Sequence, residues 1–219
     1  MKKIALIHTG FALVEVLTRR FNTRIPEAEL VHIVDDSLLR EVLAAGEVTR
    51  PVTKRMLAYY QAAETYDVDC IFNVCSSVGE VADLARRVVN TPVVKIDDSM
   101  AETAVVSAEK IGVAATLQTT LDPTCRLVER KAAEAGRRVS LQRTLCPGAF
   151  EKLMAGQAEE HDRIVLAGIR ELSEKVDVIV LAQGSMARLA ENLEPELAER
   201  VLTSPASGVE AVRKLLASG

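Results

Sequence analysis

The hydrophobic positions of the chain form short apolar runs separated by longer segments with helical spacing. Compact runs rich in β-branched residues favour buried strands, whereas apolar residues repeated every three or four positions favour helices. The predicted strands are IALIHT, ELVHIVD, CIFNVC, PVVKI, IGVAAT, VSLQRT and VDVIVLA. The predicted helices are FALVEVLTRRF, SLLREVLAA, PVTKRMLAYYQAAETY, EVADLARRVV, AETAVVSAEK, DPTCRLVERKAAEA and QAEEHDRIVLAGIRELSEK.

The alternation of strands and helices predicts an α/β protein with mainly parallel sheets and helices on both faces. Ligands of such proteins bind beyond the carboxyl ends of the strands, so the residues that follow each strand are the candidates for chemistry. Capping signals support several helix starts. Three have the Ser-x-x-Glu spacing of a capping box, at Ser77, Ser99 and Ser207, while Pro51 suits the first turn of a helix that begins after Thr49 or Arg50.

A weak internal repeat divides the chain into two similar α/β halves. VDCIFNVCSSVGEVADL aligns with VDVIVLAQGSMARLAENL, so that Val68 matches Val176 at an offset of 108 residues. IALIHTG and IGVAATLQT are the corresponding first strands of the two halves. We expect the second half to begin near Met100, with the strand ends of the halves facing a cleft between them.

Composition narrows the classes of protein that remain. The 219 residues are 48% hydrophobic and 26% charged, with a net charge of −4, which is typical of a globular protein and gives no footprint for nucleic acid. No apolar stretch approaches the roughly 18 residues that span a membrane, and the first residues, MKKIALIHTG, predict a strand and turn rather than a signal peptide. A cytoplasmic protein is expected.

The cysteines and histidines give no sign of a metal site. Four cysteines lack CxxC spacing and three histidines are scattered, so we expect no zinc, no disulfide framework and reduced thiols. Cys70 lies within a strand and is expected in the core, and structural roles are also expected for Cys125 and Cys146.

Cys75 differs because it follows a strand and precedes Ser76 and Ser77 at the start of a helix. Free backbone N–H groups and the helix dipole at this position would stabilise a thiolate and lower the pKa of the thiol. The same donors could hold a carboxylate. The alternative is that Cys75 is only a small residue in a tight turn.

The order of elements, the FNVCSSVG segment, Thr116 and Thr119 in GVAATLQTTLD, and the LAQGSM segment resemble the aspartate/glutamate/hydantoin racemase superfamily. That superfamily also includes arylmalonate decarboxylase and maleate isomerase. The resemblance implies two similar three-layer lobes related by a pseudo-two-fold axis, residues 1–99 with 205–219 and residues 100–204. It also implies no metal, no organic cofactor and a small carboxylate-bearing substrate at the lobe interface.

In racemases of that superfamily, one cysteine from each lobe acts on opposite faces of the substrate carbon. Cys75 matches the first, but the repeat places Gln183 where the second is expected, and a slipped alignment places Gly184 or Ser185 there. Glutamine is neither an acid nor a base near neutral pH. His8 or an aspartate, Asp97 or Asp98, is an alternative second base.

The remaining predicted site residues follow strand ends and would hold the carboxylate. They are His8, Thr9, Ser76, Ser77, Thr116, Thr119, Gln183, Gly184 and Ser185. His8 could instead satisfy a backbone group in a turn, and the serines and threonines could be ordinary helix caps.

The leading hypothesis is a cofactor-independent racemase or isomerase that acts beside a carboxylate, with Cys75 as acid/base or nucleophile. A single-cysteine decarboxylase or lyase, a cis-trans isomerase and a non-catalytic carboxylate-binding protein stay open, and a thiol hydrolase would need His8 beside Cys75. The oligomeric state is also open, because the helix with Met56, Tyr59 and Tyr60 suits either a buried core or a homo-oligomer interface.

Overall fold

The computed structural model describes residues 2–218, which belong to two compact units. One unit comprises Met1–Ile96 with Pro205–Gly219, and the other comprises Asp97–Ser204. Each unit has a four-stranded, all-parallel sheet flanked by helices, so the predicted α/β class with two similar lobes is confirmed. Among residues 2–218, no helix is long and apolar enough to cross a membrane.

The first unit follows the predicted alternation closely. Its elements are β1 (Lys3–His8), α1 (Val14–Arg24), β2 (Glu29–Val34), α2 (Ser37–Ala45), α3 (Arg50–Glu64), β3 (Cys70–Asn73), a first 3₁₀ helix (Ser76–Val78), α4 (Gly79–Ala85) and β4 (Val93–Lys95). Apolar residues on both faces of β1 and β3 explain why these strands lie at the centre of the sheet.

The second unit repeats this arrangement. Its elements are α5 (Asp98–Ser107), β5 (Lys110–Ala115), α6 (Gln118–Glu134), β6 (Ser140–Leu145), α7 (Ala149–Met154), α8 (Ala158–Ser173), β7 (Val178–Leu181), a second 3₁₀ helix (Gly184–Asn192), α9 (Pro195–Ala198) and β8 (Val201–Thr203). The last helix, α10 (Ser204–Ser218), packs in the first unit, where Val209 and Val212 join its core.

The two sheets have the same strand order. It is β2-β1-β3-β4 in the first unit and β6-β5-β7-β8 in the second, so β1 corresponds to β5 and β3 to β7. Ile4 pairs with Cys70 in the first sheet, and Ile111 pairs with Val178 in the second. The first residues of β3 and β7 are 108 positions apart, and so are their last residues, which is the offset that the internal repeat predicts.

The sheet of the first unit separates two hydrophobic clusters because alternate side chains of a strand point to opposite faces. Ala5, Ile7 and Ile71 pack with α2, α3 and α4 on one face. Ile4, Leu6 and Phe72 pack with α1 and α10 on the other, where Phe72 meets Phe21 edge to face at 5.5 Å between ring centroids. The helices on the two faces of this sheet therefore belong to separate hydrophobic clusters.

The sequence pattern missed the shortest elements. β8, α7 and α9 were not predicted, because three to six residues do not establish a period. The helix predicted from Asp122 begins earlier, at Gln118, since the N–H groups of Thr120 and Leu121 already bond to the carbonyl of Leu117.

The three predicted capping boxes are wrong, although the helices exist. Ser77 lies inside the first 3₁₀ helix, Ser99 is the second residue of α5, whose N-cap is Asp97, and Ser207 lies within α10. The prediction at Pro51 is confirmed: Thr49 is the N-cap of α3, and its hydroxyl accepts the N–H of Val52 at 3.4 Å. Spacing alone does not identify a cap, because the helix can begin a few residues earlier.

Candidate active site

Cys75 lies two residues beyond the carboxyl end of β3, directly before the first 3₁₀ helix. Its backbone is extended, with φ −118° and ψ 119°, so the chain leaves the sheet here and then turns into Ser76–Val78. The side chain is half-buried and packs beside the cluster that contains Ile7 and Ile71. The predicted place of Cys75 in the turn after the strand is confirmed.

The sulfur of Cys75 is surrounded by hydrogen-bond donors from two segments. Burial raises the pKa of the thiol, while the hydroxyls of Thr9 and Ser77 and the backbone N–H groups of Ser77 and Val78 lower it. Burial has the larger effect, so the pKa of Cys75 lies above its ordinary value. The lowered pKa expected from the sequence is therefore wrong: the expected donors are present, but the surrounding protein outweighs them.

The other three cysteines are fully buried, as predicted. Burial raises the pKa of Cys70 to about 12, and that of Cys125 and Cys146 to about 11. Buried thiols with such pKa values are unreactive near neutral pH. Cys75 is thus the one cysteine of the four that combines partial exposure with donors around its sulfur.

His8 ends β1 but faces away from Cys75. Its ring Nε2 lies 3.0 Å from Nδ1 of His32, and Nε2 of His32 lies 3.2 Å from the hydroxyl of Thr18 in α1. Burial and the nearby His32 lower the pKa of His8 to about 4, so this imidazole is neutral at pH 7. Thr9, the next residue, points to the opposite face and contacts Cys75.

A buried polar layer lies at the ends of β3 and β4, on the same face as Cys75. Asn73 donates to the hydroxyl of Tyr60 at 2.7 Å, and its own side-chain oxygen is buried with no hydrogen-bond partner among residues 2–218. Lys95 pairs with Asn73 across the sheet and bonds to Asp83 at 3.4 Å. The sequence analysis did not select Asn73 or Lys95, although a polar residue that closes an apolar strand could have indicated them.

We call the strand-end site formed by Thr9 and Cys75 the first corner. The corresponding site of the second unit, the second corner, contains Thr116 and Gln183. The side-chain oxygen of Gln183 accepts the backbone N–H of Thr116 at 2.6 Å and its hydroxyl at 3.0 Å. Gln183 is half-buried and precedes the second 3₁₀ helix with φ −115° and ψ 129°, close to the angles of Cys75. With its oxygen held in this way, the amide NH₂ is the end of Gln183 left for a ligand.

Three further predicted residues follow the same two strand ends. Gly184 and Ser185 are half-buried and begin the second 3₁₀ helix, and Thr119 lies in the first turn of α6. The hydroxyl of Thr119 is buried and has no hydrogen-bond partner among residues 2–218. The structure thus groups hydroxyl and amide donors at the carboxyl ends of β5 and β7, as it groups them around Cys75 in the first unit.

The two aspartates considered as a second base begin a helix. Asp97 is the N-cap residue of α5 and is buried, and Asp98 is its first residue. Arg130 of α6 lies 4.0 Å from the carboxylate of Asp98. Acidic residues at this end of a helix are stabilised by its dipole, which accounts for their position without a catalytic role.

The two corners have the same arrangement of strands, threonine and strand-end residue. In each, a threonine that follows the central strand contacts the residue that precedes the 3₁₀ helix: Thr9 contacts Cys75, and Thr116 contacts Gln183. The pairs Ile4–Cys70 and Ile111–Val178 show that these positions are equivalent in the two sheets. A thiol in one half therefore corresponds to an amide in the other.

Comparisons with known proteins identify the family and agree with the fold. The family model of Asp/Glu/Hydantoin racemase matches residues 4–212, so the chain belongs to that family. No curated protein matches its sequence. Membership of this family indicates a racemase-like enzyme, and racemases are isomerases. The family also implies a small carboxylate substrate.

Solved structures of racemases share the fold. Allantoin racemase from Klebsiella pneumoniae has 20% identity and a TM-score of 0.71, covering 100% of this chain and 89% of its own. Aspartate racemase from Picrophilus torridus has 13% identity and a TM-score of 0.72, with 100% and 94% coverage. Glutamate racemase from Francisella tularensis, solved with D-glutamate, has 11% identity and a TM-score of 0.75, with 99% and 81% coverage.

Proposed function

We propose that this protein is a cofactor-independent enzyme that transfers a proton at the carbon beside a carboxylate, with Cys75 as the proton-transferring group. The observation that carries the proposal is the equivalence of the Thr9–Cys75 and Thr116–Gln183 corners, which differ in whether they can exchange a proton. The family supports racemase-like chemistry, and the contacts of Cys75 support its role in it.

Cys75 is suited to act first as an acid. Its raised pKa keeps the thiol protonated near neutral pH, so it can give its proton to a carbanion or enediolate that forms beside it. The donors from Thr9, Ser77 and Val78 would then stabilise the thiolate that remains. Removal of a substrate proton by Cys75 requires the thiolate and is favoured as the pH rises.

Gln183 supplies hydrogen bonds instead of a second proton carrier. Because Thr116 holds its side-chain oxygen with two hydrogen bonds, the NH₂ group is oriented before a ligand arrives. Two fixed N–H donors suit a carboxylate oxygen that gains charge as an enediolate forms. Thr119, Gly184 and Ser185 are the other members of this corner that we assign to carboxylate binding.

The substitution of an amide for a thiol favours reactions that need a proton on one face only. Decarboxylation through an enediolate needs a single protonation, and cis-trans isomerisation needs a single thiol nucleophile. We therefore retain a single-cysteine lyase as the second candidate. Racemisation would need a second acid or base, a role for which His8 is poorly suited because it bonds to His32 and faces away from Cys75.

Proton exchange in deuterated water tests the proposal. Both enantiomers of aspartate and glutamate would be followed by NMR, with allantoin as a hydantoin probe that lacks a carboxylate and with phenylmalonate and maleate as lyase and isomerase probes. Exchange or turnover that disappears in Cys75→Ser but persists in the control Cys125→Ala supports the proposal. Release of carbon dioxide without α-proton exchange selects the lyase. Turnover that survives in Cys75→Ser would contradict the proposal, and ligand binding with no turnover in any form would indicate a binding protein.

A further inference from the structure

An arginine-lined pocket lies in the first unit, away from the face that carries Cys75. It is an open cavity of about 820 Å³ between the second half of α1 and the first half of α10. Its polar lining consists of Arg19, Arg20, Thr23, Arg24, Glu210 and Arg213. These two helices cover the face of the sheet formed by Ile4, Leu6 and Phe72, whereas Cys75 packs on the opposite face.

Positive charge in this pocket exceeds the negative charge available to neutralise it. Arg213 bonds to Glu210 at 2.9 and 2.7 Å, and Arg19 bonds to Glu15 at 3.0 Å. The side chains of Arg20 and Arg24 form no hydrogen bond or ion pair within residues 2–218, although Arg24 helps to lower the pKa of Glu210. Four arginines thus share one lining glutamate in a protein whose net charge is −4.

Arg20 is the most unusual member of the pocket. Its Nε atom is buried and has no hydrogen-bond partner among residues 2–218, which is costly for a charged donor. Arg20 and Arg24 also lie four residues apart on α1, where like charges repel. An anion between them would satisfy the donors and relieve the repulsion.

We propose that the arginine pocket binds a multiply charged oxyanion, of the phosphate or polycarboxylate class. The planar guanidinium group donates two parallel hydrogen bonds to the oxygen pairs of either class. Several arginines around one open cavity suit a ligand with more than one negative charge. The site is separate from the proposed chemistry at Cys75, so its occupant is a second ligand and need not be the substrate.

Calorimetric titration at low ionic strength tests this site with inorganic pyrophosphate and citrate as probes. The test variant is Arg20→Ala/Arg24→Ala. The control is Arg137→Ala/Arg138→Ala, which removes the same charge at a pair of arginines outside the pocket. We expect the affinity for at least one probe to fall by ten-fold or more in the test variant and by less than two-fold in the control. Arg20→Lys/Arg24→Lys should show an intermediate loss, because lysine keeps the charge without the paired donors.

Each outcome decides a different part of the proposal. Arginine-dependent binding of pyrophosphate identifies a phosphate ligand, and arginine-dependent binding of citrate alone identifies a polycarboxylate. No binding of either probe, or equal losses in the test and control variants, would overturn the site. If the alanine variant is unstable, Arg213→Gln and the lysine variant provide the same comparison, with thermal unfolding as the check on folding.

Discussion

The two strand-end corners of this protein share a backbone plan but not a chemistry. Cys75 and Gln183 occupy equivalent positions with nearly equal backbone angles, and each contacts a threonine from the neighbouring strand. The first corner also carries Asn73, buried beside Tyr60, where the second has the apolar Leu181. A repeated fold can therefore keep its backbone geometry while the residue at the strand end is a thiol in one half and an amide in the other.

The comparison distinguishes the residue that positions the strand-end side chain from the chemical group that this side chain carries. In both halves a threonine orients the residue at the strand end, so the hydroxyl belongs to the common plan. The group that the threonine contacts differs: in one half its hydroxyl lowers the pKa of a thiol, and in the other it fixes an amide. Changes at the two corners should accordingly have unequal effects, which the following experiments would measure.

The largest effect is expected from Cys75→Ser. A serine hydroxyl does not exchange a proton readily near neutral pH, so α-proton exchange should fall by about 10² to 10⁴-fold. The rate of deuterium incorporation measured by NMR checks this expectation. Cys125→Ala serves as the matched control, and a comparable loss there would show that the effect comes from general destabilisation.

The next largest effect concerns His8, which corresponds to Ala115 in the second sheet. Since the pKa of His8 is lowered to about 4 in the folded protein, the unfolded chain binds a proton more readily as the pH falls below about 6.5. The contribution of His8 to stability is therefore full above that pH and is lost progressively as the pH falls from 6.5 to 4, by up to about 3 kcal/mol. Urea unfolding of the protein and of His8→Gln between pH 7 and 4 should show a shallower slope in the variant. Equal slopes would refute this role of His8.

Gln183→Leu should weaken carboxylate binding by about ten-fold, because it removes the amide donors and leaves Thr116 without its acceptor. The expected signature is a higher KM, for the substrate that the exchange experiment identifies, with a smaller change in kcat. A variant with unchanged KM would exclude Gln183 from binding the carboxylate.

Gln183→Cys makes the second corner chemically like the first, because it places a thiol at the position equivalent to Cys75. We expect racemisation to increase relative to any reaction that needs a proton on one face of the substrate only. Optical rotation and deuterium labelling would measure the ratio of the two reactions. An unchanged ratio would show that the second corner does not reach the reacting carbon.

The smallest effect is expected from Thr9→Val. Loss of the hydroxyl removes one of the groups that lower the pKa of Cys75, so the pKa should rise further and alkylation at pH 8 should slow by about three-fold. Mass spectrometry of the alkylated cysteine measures the rate. Thr116→Val is the control, and a similar slowing in that variant would contradict a specific contact between Thr9 and Cys75.

The fold was largely predictable because strong patterns are local. The runs around β1, β3, β5 and β7 are apolar and bounded by turns, so their strand character does not depend on distant residues. The offset of 108 residues also led directly to the equivalence of Cys75 and Gln183. Helix starts were less predictable, as Ser77 shows, because capping depends on where the preceding turn begins.

Some residues of the candidate site were likewise predictable from the sequence, and others were not. Thr9, Cys75 and Thr116 were selected from the sequence because the carboxyl ends of parallel strands carry ligand-binding residues, and Gln183 was selected from the offset of 108 residues. Asn73 and Lys95 were missed, although each is the polar last residue of an apolar strand, because only the sheet brings them together. The arginine pocket was also missed, because Arg19, Arg20 and Arg213 form a common surface only when α1 and α10 pack together.

The sequence by itself determined the α/β class, the duplicated plan and the residue types at the strand ends, because these follow from local periodicity and spacing. Only the tertiary structure decided the direction of the pKa shift of Cys75, the partner of His8 and the orientation of the Gln183 amide. Those properties depend on which atoms surround a group. Burial and hydrogen-bond partners come from elements distant in the chain, so the sequence pattern alone does not specify them.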